Sequence, residues 1–152
     1  MRMRALAYAA AALVAASVSA SALAASSAQT TPDTTARLKA FLTVNQEIPT
    51  PKGARGSGTF TATVSGRTIK FRLTFTGLTG PAAAAHIHAS LAGKANPAPL
   101  VALCGPCRNG QRGTVTAPSA AAVKKILGGA MYVNVHTAKN AGGEIRGQIA
   151  SS

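Results

Sequence analysis

The run GTFTATVSG at 58–66, followed at once by TIKFRLTF at 68–75, alternates apolar and polar residues with a period of two. Successive side chains of a strand point to opposite faces, so Phe60, Ala62 and Val64 share one face and Thr59, Thr61 and Thr63 the other. In the second run Ile69, Phe71, Leu73 and Phe75 turn inward, leaving Lys70, Arg72 and Thr74 outside. A helix would scatter both sets around its circumference, so the pair reads as a β-hairpin turning at Ser65-Gly66. The same alternation, broken by Gly, Pro and Asn, predicts further strands over 38–44, 84–89, 100–103, 113–116, 130–137 and 144–150. PSAAAVKKILGG at 118–129 departs from it: Pro near the first turn, an Ala-rich interior, late Lys124 and Lys125, and a closing Gly128-Gly129 predict one short helix. The expected class is all-β, seven or eight short strands with one helical crossover, arranged as a two-sheet sandwich. With only four Phe and two Tyr, its core rests on Val, Leu, Ile and Ala.

The beginning of the chain carries a different signal. MRMR is followed by ALAYAAAALVAASVSASALA, a basic start, a short apolar run and a small-residue site at Ala22-Leu23-Ala24. This predicts a signal peptide over 1–24 and a mature protein that is soluble and exported, either periplasmic or secreted. An uncleaved anchor is the alternative reading; no second apolar run approaches the roughly 18 residues that span a bilayer. Residues 25–37 begin ASSAQTTPDTTA, small and polar, and are expected to form a disordered tether. Residues 38–150 are left as one domain with one core.

Sixteen Lys and Arg stand against three Asp and Glu, a formal charge of +13. Loss of Arg2 and Arg4 with the signal peptide lowers it by two, to +11. The cations are spread from Arg37 to Arg146, there is no Trp, and the few aromatics do not interleave with them, which argues against nucleic-acid recognition. An exported cationic protein meets anionic envelope polymers instead; the plainer reading is a solubilising surface.

All three histidines fall in two apolar runs, His86 and His88 in AHIHAS at 85–90 and His136 in YVNVHT at 132–137. Residues i and i+2 of a strand share a face about 7 Å apart, so His86 and His88 project together while Ile87 goes the other way. Met131, Val133 and Val135 form the apolar face of the later run, which puts His136 on its polar side with Tyr132 and Asn134. If the two strands are neighbours, three imidazoles meet. Three histidines with an open position suit copper or zinc. The competing reading has them packed against the sheet and hydrogen-bonded. The domain's two carboxylates, Glu47 and Glu144, bear on the choice. Glu144 shares a strand face with Arg146, which predicts an ion pair across the hairpin. The sharper reading makes Glu144 or Glu47 the acceptor that fixes a histidine tautomer.

CGPC at 104–107 has the spacing of a redox dithiol, but it follows a strand and precedes the loop RNGQRG rather than a helix. A loop disulfide between Cys104 and Cys107 is expected; redox activity and a thiolate metal site are the alternatives. The serines lie in loops or the tether and the carboxylates are few, so no catalytic constellation is evident and no enzyme is expected.

Four segments, in order and spacing, resemble one family. QEIPTP at 46–51, AAAHIHAS at 83–90, MYVNVHT at 131–137 and GGEIRGQI at 142–149 are similar to the CHRD (chordin) domain, found in exported bacterial proteins and as repeats in animal chordins. The resemblance spans about 38–150. It implies an immunoglobulin-like Greek-key β-sandwich, likened to the Cu,Zn superoxide dismutase barrel, and implies no activity. Where the family has Gly soon after the His-x-His this chain has Ala89-Ser90, and where it often has Pro in the last hairpin this chain has Ala141. The dismutase likeness is one of fold: the chain has no fourth histidine, no bridging histidine and no zinc loop. The resulting expectation is a non-enzymatic binding or structural module of the cell envelope, with an unknown protein or an anionic polymer as partner. The alternative is a periplasmic copper- or zinc-binding protein using His86, His88 and His136.

Overall fold

A computed structural model describes residues 35–152; the expected signal peptide at 1–24 and most of the expected tether lie outside the described residues. The described residues form strands β1 (Ala36–Thr43), β2 (Ser57–Ser65), β3 (Thr68–Thr76), β4 (Ala82–Ala89), β5 (Pro99–Cys104) and β6 (Gln111–Thr116). Helix α1 (Ala120–Leu127) follows, then β7 (Met131–Thr137), β8 (Ile145–Gln148) and β9 (Ala150–Ser151). The all-β class with one short helix therefore stands. The chain joins the sheet earlier than the sequence suggests. Ala36 pairs with Val64 and Arg37 with Thr63, so the end of the expected tether is already strand.

The hairpin of β2 and β3 has the expected register, Phe60 opposite Leu73 and Val64 opposite Ile69, and its inward residues are buried except Phe75, which is half-buried. Phe60 and Phe71 stack with centroids 6.2 Å apart, the aromatic centre of an otherwise aliphatic core. Helix α1 begins where the Ser119 hydroxyl accepts the Ala122 N–H at 3.1 Å. Ala122 and Ile126, four apart and thus on one face, are its buried residues.

Where the sequence reading expects two sheets, hydrogen bonds connect the strands into one antiparallel sheet, ordered β5-β4-β7-β8-β1-β2-β3-β6, with β9 against β1. β1 meets β8 in a single pair, Thr43 with Arg146, and the one core draws residues from strands on both sides of that seam. The outer strands β5 and β6 approach each other and nearly close it. Gly147 is required at the seam: a Cβ there would sit 2.3 Å from the Phe41 carbonyl oxygen. The final strand read as 144–150 is in fact interrupted at buried Ile149, whose N–H bonds Met131, freeing Ala150 to pair with Lys39.

Strand β7 departs from simple alternation. Met131, Val133 and Val135 face the core, but Tyr132 and Asn134 on the other side are buried as well. Loops contribute partners on that side: Asn96 bonds the Tyr132 hydroxyl, Glu47 accepts from Asn134, and Ala141 contacts His136. This covered polar layer outside the core carries the candidate site.

Candidate functional site

β4 and β7 are neighbours, with Ala84 opposite His136, His86 opposite Asn134 and His88 opposite Tyr132. Ile87 enters the core, which leaves both β4 histidines on the face that β7 shares with His136. The three imidazoles therefore meet, with one ring nitrogen from each lying within 4.8 Å of the others. Two nitrogens bound to one tetrahedral ion at about 2.0–2.1 Å stand roughly 3.3 Å apart, a modest contraction from this arrangement.

The tautomers follow from the hydrogen bonds. His136 Nδ1 lies 2.9 Å from the Ala141 carbonyl, which can only accept, so Nδ1 carries the proton and Nε2 offers a lone pair. His136 Nε2 is 3.0 Å from His86 Nδ1. His86 Nδ1 is then the donor, and His86 Nε2 is unprotonated. His88 differs: it is 3% exposed, and neither of its ring nitrogens has a hydrogen-bond partner. Each such buried nitrogen costs about 1–3 kcal/mol when left unsatisfied.

Burial lowers the basicity of all three. His86 is pulled below its ordinary value by burial and then by His136. For His136, burial outweighs the opposing Ala141 carbonyl. His88 falls furthest, to about 4, through burial and then the charge of His86. The Asn96 and Ala98 backbone offsets part of that, although its contacts with the ring fall outside hydrogen-bond geometry. At neutral pH the site is a cluster of uncharged imidazoles, the form that binds metal. A cavity of about 400 Å³, lined by the three histidines with Ala83, Pro97, Pro99 and Ala141 among others, opens beside it.

His88 also belongs to a stack. Its ring lies parallel to Tyr132, 5.0 Å between centroids and 8° between planes, and the Arg146 guanidinium sits 3.5 Å above the Tyr132 ring. Arg146 is 2% exposed and donates through Nη2 to the Leu91 carbonyl at 3.1 Å, while Nη1 has no partner. Burial lowers its basicity, and the nearby Tyr132 and Glu47 work against that.

The carboxylates do not take the expected roles. Glu144 makes no ion pair with Arg146 among the described residues. It is fully buried, and its carboxylate accepts from the Thr79 N–H at 2.6 Å, the Thr79 and Thr137 hydroxyls at 2.7 and 2.6 Å, and Asn140 Nδ2 at 2.9 Å. Burial alone would raise its pKa; these donors outweigh it and hold the group below its ordinary value. Glu47 accepts from the Ile48 N–H at 2.9 Å and from Asn134 Nδ2. Its pKa is raised by burial, against the Ile48 N–H and Arg146. Neither carboxylate bonds a histidine. The acceptor that fixes a tautomer is instead the Ala141 carbonyl, and Glu144 acts on it indirectly by bonding Thr137 and Asn140 at the root of the same hairpin. Sequence carried no sign of this, because a backbone carbonyl is present at every position.

Cys104 and Cys107 are joined in a disulfide, and Cys107 leads into a turn rather than a helix. The Cys107 N–H donates to the Ala82 carbonyl at 3.0 Å, pinning the loop to the start of β4.

A family model, the CHRD domain, matches residues 38–149. The chain belongs to the CHRD domain family. No curated protein and no solved structure matches it. The family match covers the whole folded part of this CHRD domain except its outermost residues, including all three histidines, both carboxylates and the disulfide. Among the described residues no helix is long and apolar enough to cross a membrane.

Proposed function

We propose that this CHRD domain is an exported, non-enzymatic binding module of the cell envelope whose ligand is a copper or zinc ion held by His86, His88 and His136. The observation that carries the reading is His88, a neutral imidazole buried beside two others with both nitrogens unpartnered. A histidine kept only for packing would have a hydrogen-bond partner or be replaced by an apolar ring. One nitrogen each from His86, His88 and His136 would supply the ligand set, His136 Nε2 becoming free for it when the hydrogen bond from His86 Nδ1 is given up, and the Ala141 carbonyl orients His136. Periplasmic or secreted placement is supported by the basic, apolar N-terminal run and by the disulfide, which persists in oxidising compartments. The immunoglobulin-like, dismutase-like description of the sheet belongs to the same reading. Dismutase activity does not, since the chain has no further histidine to bridge a second ion.

The test is a titration of the tag-free mature protein with Cu(II) and Zn(II), beside a His86→Ala/His88→Ala/His136→Ala variant. One equivalent bound by the wild type and lost in the folded variant is the expected result. Equal weak binding by both proteins would leave the histidines as packing and remove the metal from the function.

A further inference from the structure

Five of the fourteen cations among the described residues, scattered in sequence, converge on one surface. The outward side of β1-β2-β3-β6 is set by the strand register. One row across it reads Arg37, Thr63, Lys70, Thr114, and the next reads Lys39, Thr61, Arg72, Arg112. A third begins Phe41, Thr59, Thr74. Neighbouring strands stand about 4.8 Å apart and alternate residues about 6.6 Å, so five cations occupy a grid with threonines between them. Arg37, Lys70, Arg72 and Arg112 are exposed, and among the described residues their side chains have no ion-pair or hydrogen-bond partner. Lys39 lies 4.2 Å above the ring of Phe41, which is itself 61% exposed.

This arrangement is unfavourable for the isolated domain. Arg72 and Arg112 are directly opposed, and like charges in that position destabilise a sheet. No acidic side chain among the described residues relieves them: Glu47 and Glu144 are the carboxylate side chains there, and both are buried in other contacts. A surface serving solubility alone would intersperse the signs. Two hollows of about 560 and 450 Å³ lie on this grid, the first by Phe41, Thr59 and Thr74 and the second by Arg37, Lys70 and Arg112, and they share Arg72 as a lining residue.

We propose that this sheet face docks a linear acidic polysaccharide whose sugar units carry carboxylates. Arginine guanidinium groups take carboxylates bidentately. Between them Thr59, Thr61, Thr63, Thr74 and Thr114 present hydroxyls that donate to and accept from sugar hydroxyls. A nucleic acid would call for several free aromatic rings to stack bases, and the one exposed ring here, Phe41, already holds Lys39. A membrane surface would call for an apolar patch to insert, and a single phenylalanine is not one. The site is built from the half of the sheet opposite the histidines and does not depend on metal.

The experiment measures binding of the mature protein to polygalacturonate, dextran, phosphatidylglycerol vesicles and an oligothymidylate. It uses wild type, Arg72→Gln/Arg112→Gln, and a control Lys124→Gln/Lys125→Gln that removes the same charge from α1. The expected result is tightest binding to polygalacturonate, none to dextran, and a loss of about tenfold in the sheet variant against little change in the control. The sheet variant should melt no lower than wild type, because it relieves a repulsion, which separates lost binding from lost fold. Equal losses in both variants would reduce the effect to net charge and overturn the proposal. So would tighter binding to vesicles or oligonucleotide, or no binding to the polyuronate.

Discussion

His88 lies face to face with Tyr132, planes 8° apart, and nothing hydrogen-bonds either of its nitrogens. A polar ring held this way is a defect in a metal-free protein and an asset in a loaded one. Replacing His88 by Leu removes two unsatisfied nitrogens, at about 1–3 kcal/mol each, and forfeits the stacking, worth about 0.5–1.5 kcal/mol, so the first effect outweighs the second. His88→Leu should leave the metal-free protein at least as stable as wild type in chemical denaturation while abolishing metal uptake. A loss of several kcal/mol would mean that the ring has a partner after all.

Acid should unfold the protein through the same residue. His88 takes a proton near 6.5 when unfolded but only near 4 when folded, so the unfolded state binds more protons between those values. Stability therefore falls as pH drops from about 6.5 to 4, by roughly 3 kcal/mol from this group at 1.36 kcal/mol per unit. His86 and His136 shift the same way and add to it. The raised Glu47 opposes them, gaining its proton more readily in the folded state. Urea unfolding at several pH values should give a positive slope of stability on pH in this window, and His88→Leu should flatten it.

Glu144 accepts from donors on both the loop before β4 and the β7–β8 hairpin. Glu144→Gln turns one acceptor into a donor facing donors and should cost about 2–4 kcal/mol, with weaker metal binding through the displaced Ala141 carbonyl. Combined with Arg146→Gln in a double-mutant cycle, the coupling should stay under about 0.5 kcal/mol. A larger coupling would restore the ion pair that the sequence suggested.

Gly147 sits against the Phe41 and Leu42 backbone at the only direct pairing of β1 with β8. Gly147→Ala places a methyl group into that backbone, so the strands must part. A loss of about 3 kcal/mol or more, or failure to fold, is the expected outcome of thermal or urea unfolding.

The disulfide closes a loop of only four residues, for which chain entropy gives about 2 kcal/mol. Cys104→Ala/Cys107→Ala should stay folded with a correspondingly lower melting temperature. It should retain metal binding, because the sulfurs are not among the ligands.

The legible parts of this protein are those where one side chain per two residues is enough to decide. Phe60 through Val64 and Ile69 through Leu73 announce their strands because water lies on one side and the core on the other. The same logic grouped His86 with His88 and put His136 on the polar side of β7. It failed for Tyr132 and Asn134, which read as surface yet are buried, because the loops that cover them come from three distant stretches of chain. Glu144 and Arg146 share a strand face in the alternation, but partners in space are chosen by which loop closes over them. The cationic grid stayed hidden for a related reason. Arg37, Arg72 and Arg112 are far apart along the chain and become neighbours only once register is known.

The pairing of β1 with β8 and β9 has a kinetic consequence. The first strand finds one edge partner nearby in β2, but the other edge waits for residues that close to the C-terminus supply, Arg146 and Ala150 among them. Such far-separated contacts are slow to form. A chain emerging from its N-terminus can zip the β1–β2–β3 segment early, yet it carries an open β1 edge until its last few residues arrive. The histidine half then depends on the same late arrivals, since β7 takes β8 as its neighbour. The strands that carry the histidines, β4 and β7, pair directly with each other, and it is the flank of β7 that relies on the later β8.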